Sequence, residues 1–240
     1  MLKQLLRRLL PPRFSGVLDY WLHRQPLDPF GGPFNNQAGR LQLVETLIAV
    51  IDPAVLVETG AYHGTTTQWL ASTGRPVVTV EGEPRTYGFA KQRLRNLRNV
   101  RLIFGDSRAM LRSLPASCSL FAGKEPILAY LDAHWNADLP LEEEIDIVFA
   151  SNPRAVVMID DFAVADDTGY GFDDYGPGAT LNSEYVSKVM ARHDLALYYP
   201  SLRSDQETGF RRGCAVLRKE PHWRREFAQL DKLRPAASAQ

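Results

Sequence analysis

The sequence predicts an α/β fold: a doubly wound, mostly parallel seven-stranded sheet with helices on both faces. Three observations carry this. Short apolar runs alternate with segments of helical period from residue 55 to residue 159, the rhythm of a parallel sheet covered on both sides. The 240 residues are 45% hydrophobic and 23% charged, enough apolar mass for a substantial core. No internal repeat and no long linker divides the chain. Right-handed crossovers then favour double winding.

The elements follow in order. Leu2, Leu5, Leu6, Leu9 and Leu10 share one helical face, broken by Lys3, Arg7 and Arg8. This is read as an amphipathic helix packed on the domain, with a second subunit or a membrane surface as alternative platforms. It lacks the cleavage site of a signal peptide. Pro11-Pro12 is expected to end it. Residues 25–36, rich in Pro, Gly and Asn, read as an irregular arm. The chain is thus divided into an N-terminal helix and arm (1–35), one domain (36–234) and a frayed tail (235–240).

Leu41, Val44, Leu47, Ile48 and Ile51 recur at helical spacing before Pro53. Strands are then expected at 55–57, 77–80, 100–104, 127–131 and 155–159. Helices are expected at 65–72, 87–97, 108–114 and 141–150. After Asp161 the rhythm changes. Residues 166–179 are rich in Asp, Gly and Tyr and read as a loop, followed by a helix at 181–192. Two further strands, 195–199 and 214–217, read as an antiparallel pair at the sheet edge.

Composition also excludes functions. The formal net charge is zero, from 28 basic and 28 acidic residues, without the basic excess that nucleic-acid binding leaves. Cys118 and Cys214 match no metal or redox spacing and suit a reducing, cytoplasmic setting. No apolar run approaches the ~18–20 residues that span a bilayer.

In a doubly wound sheet, ligands bind beyond the carboxyl ends of the strands. The first strand ends in Glu58-Thr-Gly60-Ala61-Tyr62-His-Gly64. Its glycines permit a tight turn and a close backbone approach, and the next helix offers free amides. The second strand ends in Glu81, placed to accept ribose hydroxyls. The third ends in Gly105-Asp106-Ser107, polar groups suited to an adenine edge. The spacing Gly-x-x-x-Gly departs from Gly-x-Gly-x-x-Gly, which argues against a dinucleotide.

A second cluster is acidic. The fourth strand ends in Leu131-Asp132-Ala-His134-Trp135 and the fifth in Ile159-Asp160-Asp161. Neighbouring strands lie ~4.8 Å apart, so Asp132, Asp160 and Asp161 are expected at one rim. Close carboxylates repel unless a cation neutralises them, and Mg²⁺ favours carboxylate oxygens. His134 is the candidate general base, since imidazole takes a proton near neutral pH. Glu142, Glu143 and Glu144 open a helix and read as dipole-complementing caps. Residues 170–178 read as a lid or a rigid surface loop, and His63 as a loop histidine.

The run Val-Glu58-Thr-Gly-Ala-Tyr-His-Gly64 resembles the first motif of Rossmann-like S-adenosylmethionine-dependent methyltransferases. It is most similar to the metal-dependent catechol-type and antibiotic-sugar O-methyltransferases. The resemblance extends from about Asn36 to Asp161. It implies that Glu58, Gly60 and Gly64, with Ala61 and Tyr62, surround the methionine part of S-adenosyl-L-methionine. It also implies that Glu81 holds the ribose, that Asp106 and Ser107 lie near the adenine, and that Asp132 meets both cofactor and metal. Asn36 and Gln37 fall where such enzymes close over the cofactor. Leu131-Asp-Ala-His-Trp135 is similar to Leu-Asp-His-Trp of the catechol enzymes with one residue inserted. Asn136 stands where those enzymes carry a lysine base.

The expected activity is methyl transfer from S-adenosyl-L-methionine to a hydroxyl of a small molecule with Mg²⁺ on Asp132, Asp160 and Asp161. The expected partner is that acceptor, without nucleic acid or stable membrane insertion, and a homo-oligomer is left open. The alternatives are a metal-independent N- or C-methyltransferase and a non-catalytic cofactor-binding domain of the same fold.

Overall fold

The computed structural model describes residues 10–22, 30–121, 125–134 and 138–236. The amphipathic helix expected at 1–10 lies outside the described residues apart from Leu10, as do Trp135 and Asn136. The parallel strands are β1 (Val55–Thr59), β2 (Val77–Glu81), β3 (Val100–Phe104), β4 (Ile127–Leu131) and β5 (Ala155–Asp160). They are followed by β6 (Leu195–Pro200), β7 (Cys214–Lys219) and β8 (Leu233–Pro235). The helices are α1 (Pro12–Leu22), α2 (Ala38–Ile51), α3 (Thr65–Ser72), α4 (Pro84–Leu94), α5 (Ser107–Ser117), α6 (Leu141–Ser151), α7 (Ser187–His193) and α8 (Arg224–Phe227). Among the described residues no helix is long and apolar enough to cross a membrane.

One mixed sheet runs in the order β3-β2-β1-β4-β5-β7-β6-β8. The sheet is doubly wound as expected but has eight strands, not seven. The added strand, β8, pairs antiparallel with β6, Tyr199 opposite Arg234. It ends on Pro235, which an edge position tolerates because no donor is needed there. The pair expected at the edge is internal: β7 lies antiparallel between β5 and β6.

Two other expectations change. Pro12 opens a helix instead of following one, because proline at the first turn lacks only an amide that would be unpaired anyway. The helix expected over 181–192 begins only at Ser187. Upstream, the Asn182 side chain accepts the Tyr185 amide at 2.9 Å, a local turn that competes with helix.

Alternation along the parallel strands builds two cores. Val55, Val57, Ala129, Leu131, Val157 and Ile159 face α5 and α6. Leu56, Leu128, Tyr130, Val156 and Met158 face α2 and α3. Register then sets the functional edge. Thr59 pairs with Val80 and Leu131, and Leu131 with Ile159, so Glu81, Asp132 and Asp160 each lie one residue beyond a paired position.

Candidate functional site

A cleft of about 770 Å³ runs along the carboxyl ends of the parallel strands, from Glu81, Gly105 and Asp106 to Asp132, His134 and Asp161. This is within the usual size of a small-ligand site. Gly60, Ala61, Tyr62, Glu81, Asp106, Ser107 and Asp132 line it, as do Asp160 and Asp161. Glu58 and Gly64 are not on its wall.

At the β1–β3 end the polar groups are held by backbone. Gly60 has φ 80°, and a Cβ there would overlap the Asp132 carbonyl, so only glycine lets this turn press on the end of β4. The Gly60 and Ala61 amides both donate to the Val80 carbonyl, at 3.1 and 2.9 Å. Glu81 accepts the Tyr62 amide on Oε2 at 2.7 Å and the Glu83 amide on Oε1 at 2.8 Å. Burial raises its pKa, and these two amides oppose the rise. Asp106 caps α5 by accepting the Ala109 amide at 3.0 Å and pairs with Arg108 at 2.6 Å, which holds its carboxyl below the usual range. Glu58 sits beneath the turn, accepting the Thr67 hydroxyl at 2.5 Å and the Thr79 hydroxyl at 2.6 Å. Burial pushes it up to about 7.

At the β4–β5 end the groups are held by side chains. Asp160 is buried and forms an ion pair with Arg40, itself buried. Asp160 also accepts from the Tyr130 hydroxyl, from Asn35 at 3.2 Å and from the Asp161 amide at 2.8 Å. Burial would raise its pKa, but Arg40 and the Tyr130 hydroxyl outweigh it and hold the group ionised. Asp161 follows with φ 52°, a left-handed backbone uncommon outside glycine and typical of functional sites. Phe34, Asn35 and Tyr62, also on the cleft, share that conformation.

Asp161 accepts from Arg212 Nε on Oδ1 at 2.5 Å, while its Oδ2 lies 4.0 Å from His134 Nε2. His134 Nε2 is also 3.8 Å from Asp132 Oδ1 and 4.0 Å from Asp173 Oδ2. His134 is buried, and neither ring nitrogen has a hydrogen-bond partner among the described residues. Burial lowers its pKa, keeping the imidazole neutral. Burial and the charge of Asp160 raise Asp132 well above the carboxylate range and lift Asp161 to about 7.

One ligand atom each from Asp132, His134 and Asp161 lies within 4.8 Å of the others. The expected carboxylate trio is therefore rearranged. Asp132 and Asp161 converge with His134, while Asp160 is committed to Arg40, whose charge neutralises it internally. The unpartnered imidazole nitrogens beside two carboxylates with raised pKa values form a donor set that fits a divalent cation.

Several participants escaped the sequence reading. Arg40 lies one helical turn before Leu43 and two before Leu47, so its inward direction was readable but its partner was not. Glu144, grouped with two capping glutamates, shares the buried face of Leu141 and Val148. It is fully buried beside Ser107 and Thr59, and burial pushes it up to about 7. Arg212 comes from a loop that carries no motif, and Asp173 from the 170–178 loop, whose acids were not read as site groups. Asn35, not Asn36, lines the cleft. Gln37 brackets the Arg212 backbone, donating to its carbonyl at 3.0 Å and accepting its amide at 2.9 Å. From the 170–178 loop, Tyr175 donates to Asp173 at 2.5 Å. His63 lines the cleft and stacks on both Tyr62 and Phe89, with ring centroids 4.1 and 4.2 Å away.

No family model and no curated protein matches the chain in sequence. Solved structures do match in fold. A candidate O-methyltransferase from Klebsiella pneumoniae aligns with TM-score 0.52 at 15% identity, covering 90% of this chain and 94% of that one. A protein studied in the conversion of a disulfide bond into a thioacetal group during echinomycin biosynthesis aligns with TM-score 0.52 at 15% identity, covering 86% and 92%. The methyltransferase domain of bacterial CtHen1-C aligns with TM-score 0.51 at 13% identity, covering 75% and 97%. The fold is that of S-adenosylmethionine-dependent methyltransferases.

Proposed function

We propose that the protein is an S-adenosylmethionine-dependent methyltransferase that acts on a hydroxyl of a small molecule, with a divalent cation held by Asp132 and Asp161. The observation that carries this reading is the continuity of one cleft from Glu81 to Asp161. A nucleoside end and a carboxylate–imidazole end face the same space. Each Glu81 oxygen already accepts one amide and keeps a lone pair for a ribose hydroxyl. Ser107 and Asp106, on the cleft wall, would border the base, and the Gly60 turn would border the amino-acid part. S-adenosylmethionine supplies the methyl group, and a cation on Asp132 and Asp161 would make an acceptor hydroxyl more acidic. His134, neutral and buried, takes the hydroxyl proton on Nε2. Arg212 orients Asp161 from the side away from His134. Positioning is the main contribution of the protein.

A second reading has His134 as the third ligand of the cation, favoured by the clustering of its ring nitrogen with the two carboxylates within 4.8 Å. An imidazole ligand suits a transition metal better than Mg²⁺. Nitrogen coupling in the electron-spin spectrum of bound Mn²⁺, present in the wild type and lost in His134→Gln, identifies that role.

The test is calorimetry with S-adenosylmethionine, with and without Mg²⁺ or Mn²⁺, paired with S-adenosylhomocysteine release over a panel of hydroxyl acceptors. Asp161→Asn is expected to keep cofactor binding and lose about 10²–10⁴-fold in turnover. Absence of cofactor binding overturns the reading. Cofactor binding with full, metal-independent turnover in Asp161→Asn removes the cation and favours N- or C-methylation. Cofactor binding without any turnover favours a binding domain.

A further inference from the structure

Helix α1 packs with its faces reversed. Its buried residues are small or polar: Ser15, Gly16 and Asp19. They face α4, where a Cβ on Gly16 would overlap the Arg85 carbonyl and a Cβ on Gly88 would overlap that of Arg13. Two glycines thus let the helix backbones touch. Asp19 accepts from Arg85 Nε at 2.7 Å. The apolar stripe points the other way: Phe14 is 63% exposed, Trp21 41%, Leu22 37% and Leu10 36%. Positions 14, 21 and 22 fall on one helical face, with half-buried Leu18 between them and exposed Leu10 in the bend that precedes the helix. Phe104, exposed at the sheet edge, continues the patch beneath the Arg13 guanidinium, 3.8 Å from its ring centroid.

The charge around this stripe is predominantly basic, with Glu83 at the cap of α4 the exposed acid beside Arg85. Residues 84–101 hold six basic side chains and no acidic one, although the whole chain is neutral. Arg85, Lys91, Arg95, Arg98 and Arg101 are exposed. The Arg95 guanidinium lies 5.0 Å from the Trp21 ring centroid, so cation and apolar stripe are contiguous. Asp19, the one acid of α1, is buried against Arg85. In sequence, residues 2–9 add leucines with Lys3, Arg7 and Arg8.

We propose that the α1–α4 face docks the protein peripherally on an anionic lipid bilayer. Exposed aromatic and leucine side chains on a helix, framed by arginine, match an interface in which apolar groups enter the acyl boundary and guanidinium groups meet lipid phosphate. Charge complementarity selects this partner. A second copy placed on the same face by two-fold symmetry would set cation against cation. This inference is independent of the proposed methyl transfer.

The full chain is mixed with vesicles of phosphatidylcholine alone, or of phosphatidylcholine with phosphatidylglycerol, and co-sedimented. The expected result is partition to the anionic vesicles with a blue shift of tryptophan emission. Arg95→Glu with Arg98→Glu is expected to lower that partition on the order of thirtyfold. Phe14→Ser with Leu22→Ser is expected to lower it at least tenfold. Unchanged circular dichroism and an unchanged melting temperature show that the variants are folded. The proposal is overturned by absence of partition, by equal partition to neutral vesicles, or by wild-type partition of either folded variant. It is also overturned by selective binding of a single-stranded RNA homopolymer that the same substitutions abolish.

Discussion

The two ends of the cleft are built from the same material, carboxylates at strand ends, and treat it in opposite ways. At the β1–β3 end, backbone amides hold Glu81 and Asp106, each in contact with protein at short range. At the β4–β5 end, Asp132 and Asp161, half-buried on the cleft wall, face a buried imidazole that has no hydrogen-bond partner among the described residues, and their pKa values rise. At the first end burial also raises Glu81 and Glu58, but protein donors meet both carboxylates. At the second, a buried imidazole is left without a partner beside two carboxylates of raised pKa, the combination that marks chemistry. Asp160 shows how narrow the difference is. One residue from Asp161, it is fully neutralised because Arg40 reaches it from α2.

The largest expected effect tests that neutralisation. Arg40→Met leaves Asp160 buried without its cation and is expected to cost about 3–5 kcal/mol in a urea titration. Adding Asp160→Asn in the same chain should restore most of it. A loss below about 1 kcal/mol would mean that Arg40 does not set the two ends apart.

The next effect concerns Glu144, the buried carboxyl behind Ser107. Its folded pKa of about 7 lies above its unfolded value, so the native state binds the extra proton between them. The stability this confers is complete below the unfolded pKa and is lost as pH rises through about 7. Glu144→Gln should therefore raise stability above neutrality by up to about 3 kcal/mol and leave it little changed at acid pH. Melting temperatures on both sides of neutrality check the sign; a uniform loss would show that the ionised carboxylate is required.

The smallest effect sharpens the recognition end. Glu81→Gln is expected to weaken S-adenosylmethionine binding by about 1.5–3 kcal/mol in calorimetry, with turnover at saturation nearly unchanged. Equal loss of turnover would place Glu81 in the chemistry and erase the distinction between the ends.

Much of this was legible in the residues. Each expected parallel strand is present, and residues 65–72 and 100–104 match observed elements to the residue. Such segments carry their own period, and a strand buried on both faces needs only an apolar run. Glu81, Asp106, Ser107, Asp132 and His134 all reach the cleft because strand ends converge by topology. The misses share another origin. β8 is too short and polar to announce itself, and its pairing depends on where β6 lies. The motif resemblance implies a ligand contact for Glu58, yet its side chain lies beneath the turn, where it accepts from Thr67 and Thr79. Glu144 looked like one of three caps until packing buried it.

The sequence by itself determined the alternation of strands and helices from residue 55 to residue 160, the glycine turn and the set of acids brought to one rim, because these follow from period and local backbone freedom. Only the tertiary structure decided what each acid does. A carboxylate's role depends on whether an Arg40 or an Arg212 arrives from a distant part of the chain, on how deeply it is buried, and on which face its neighbours leave open. Those are properties of packing, and Asp160 and Asp161, adjacent in the chain and opposite in state, carry the physical reason: charge is set by surroundings within a few ångströms, which sequence proximity does not specify.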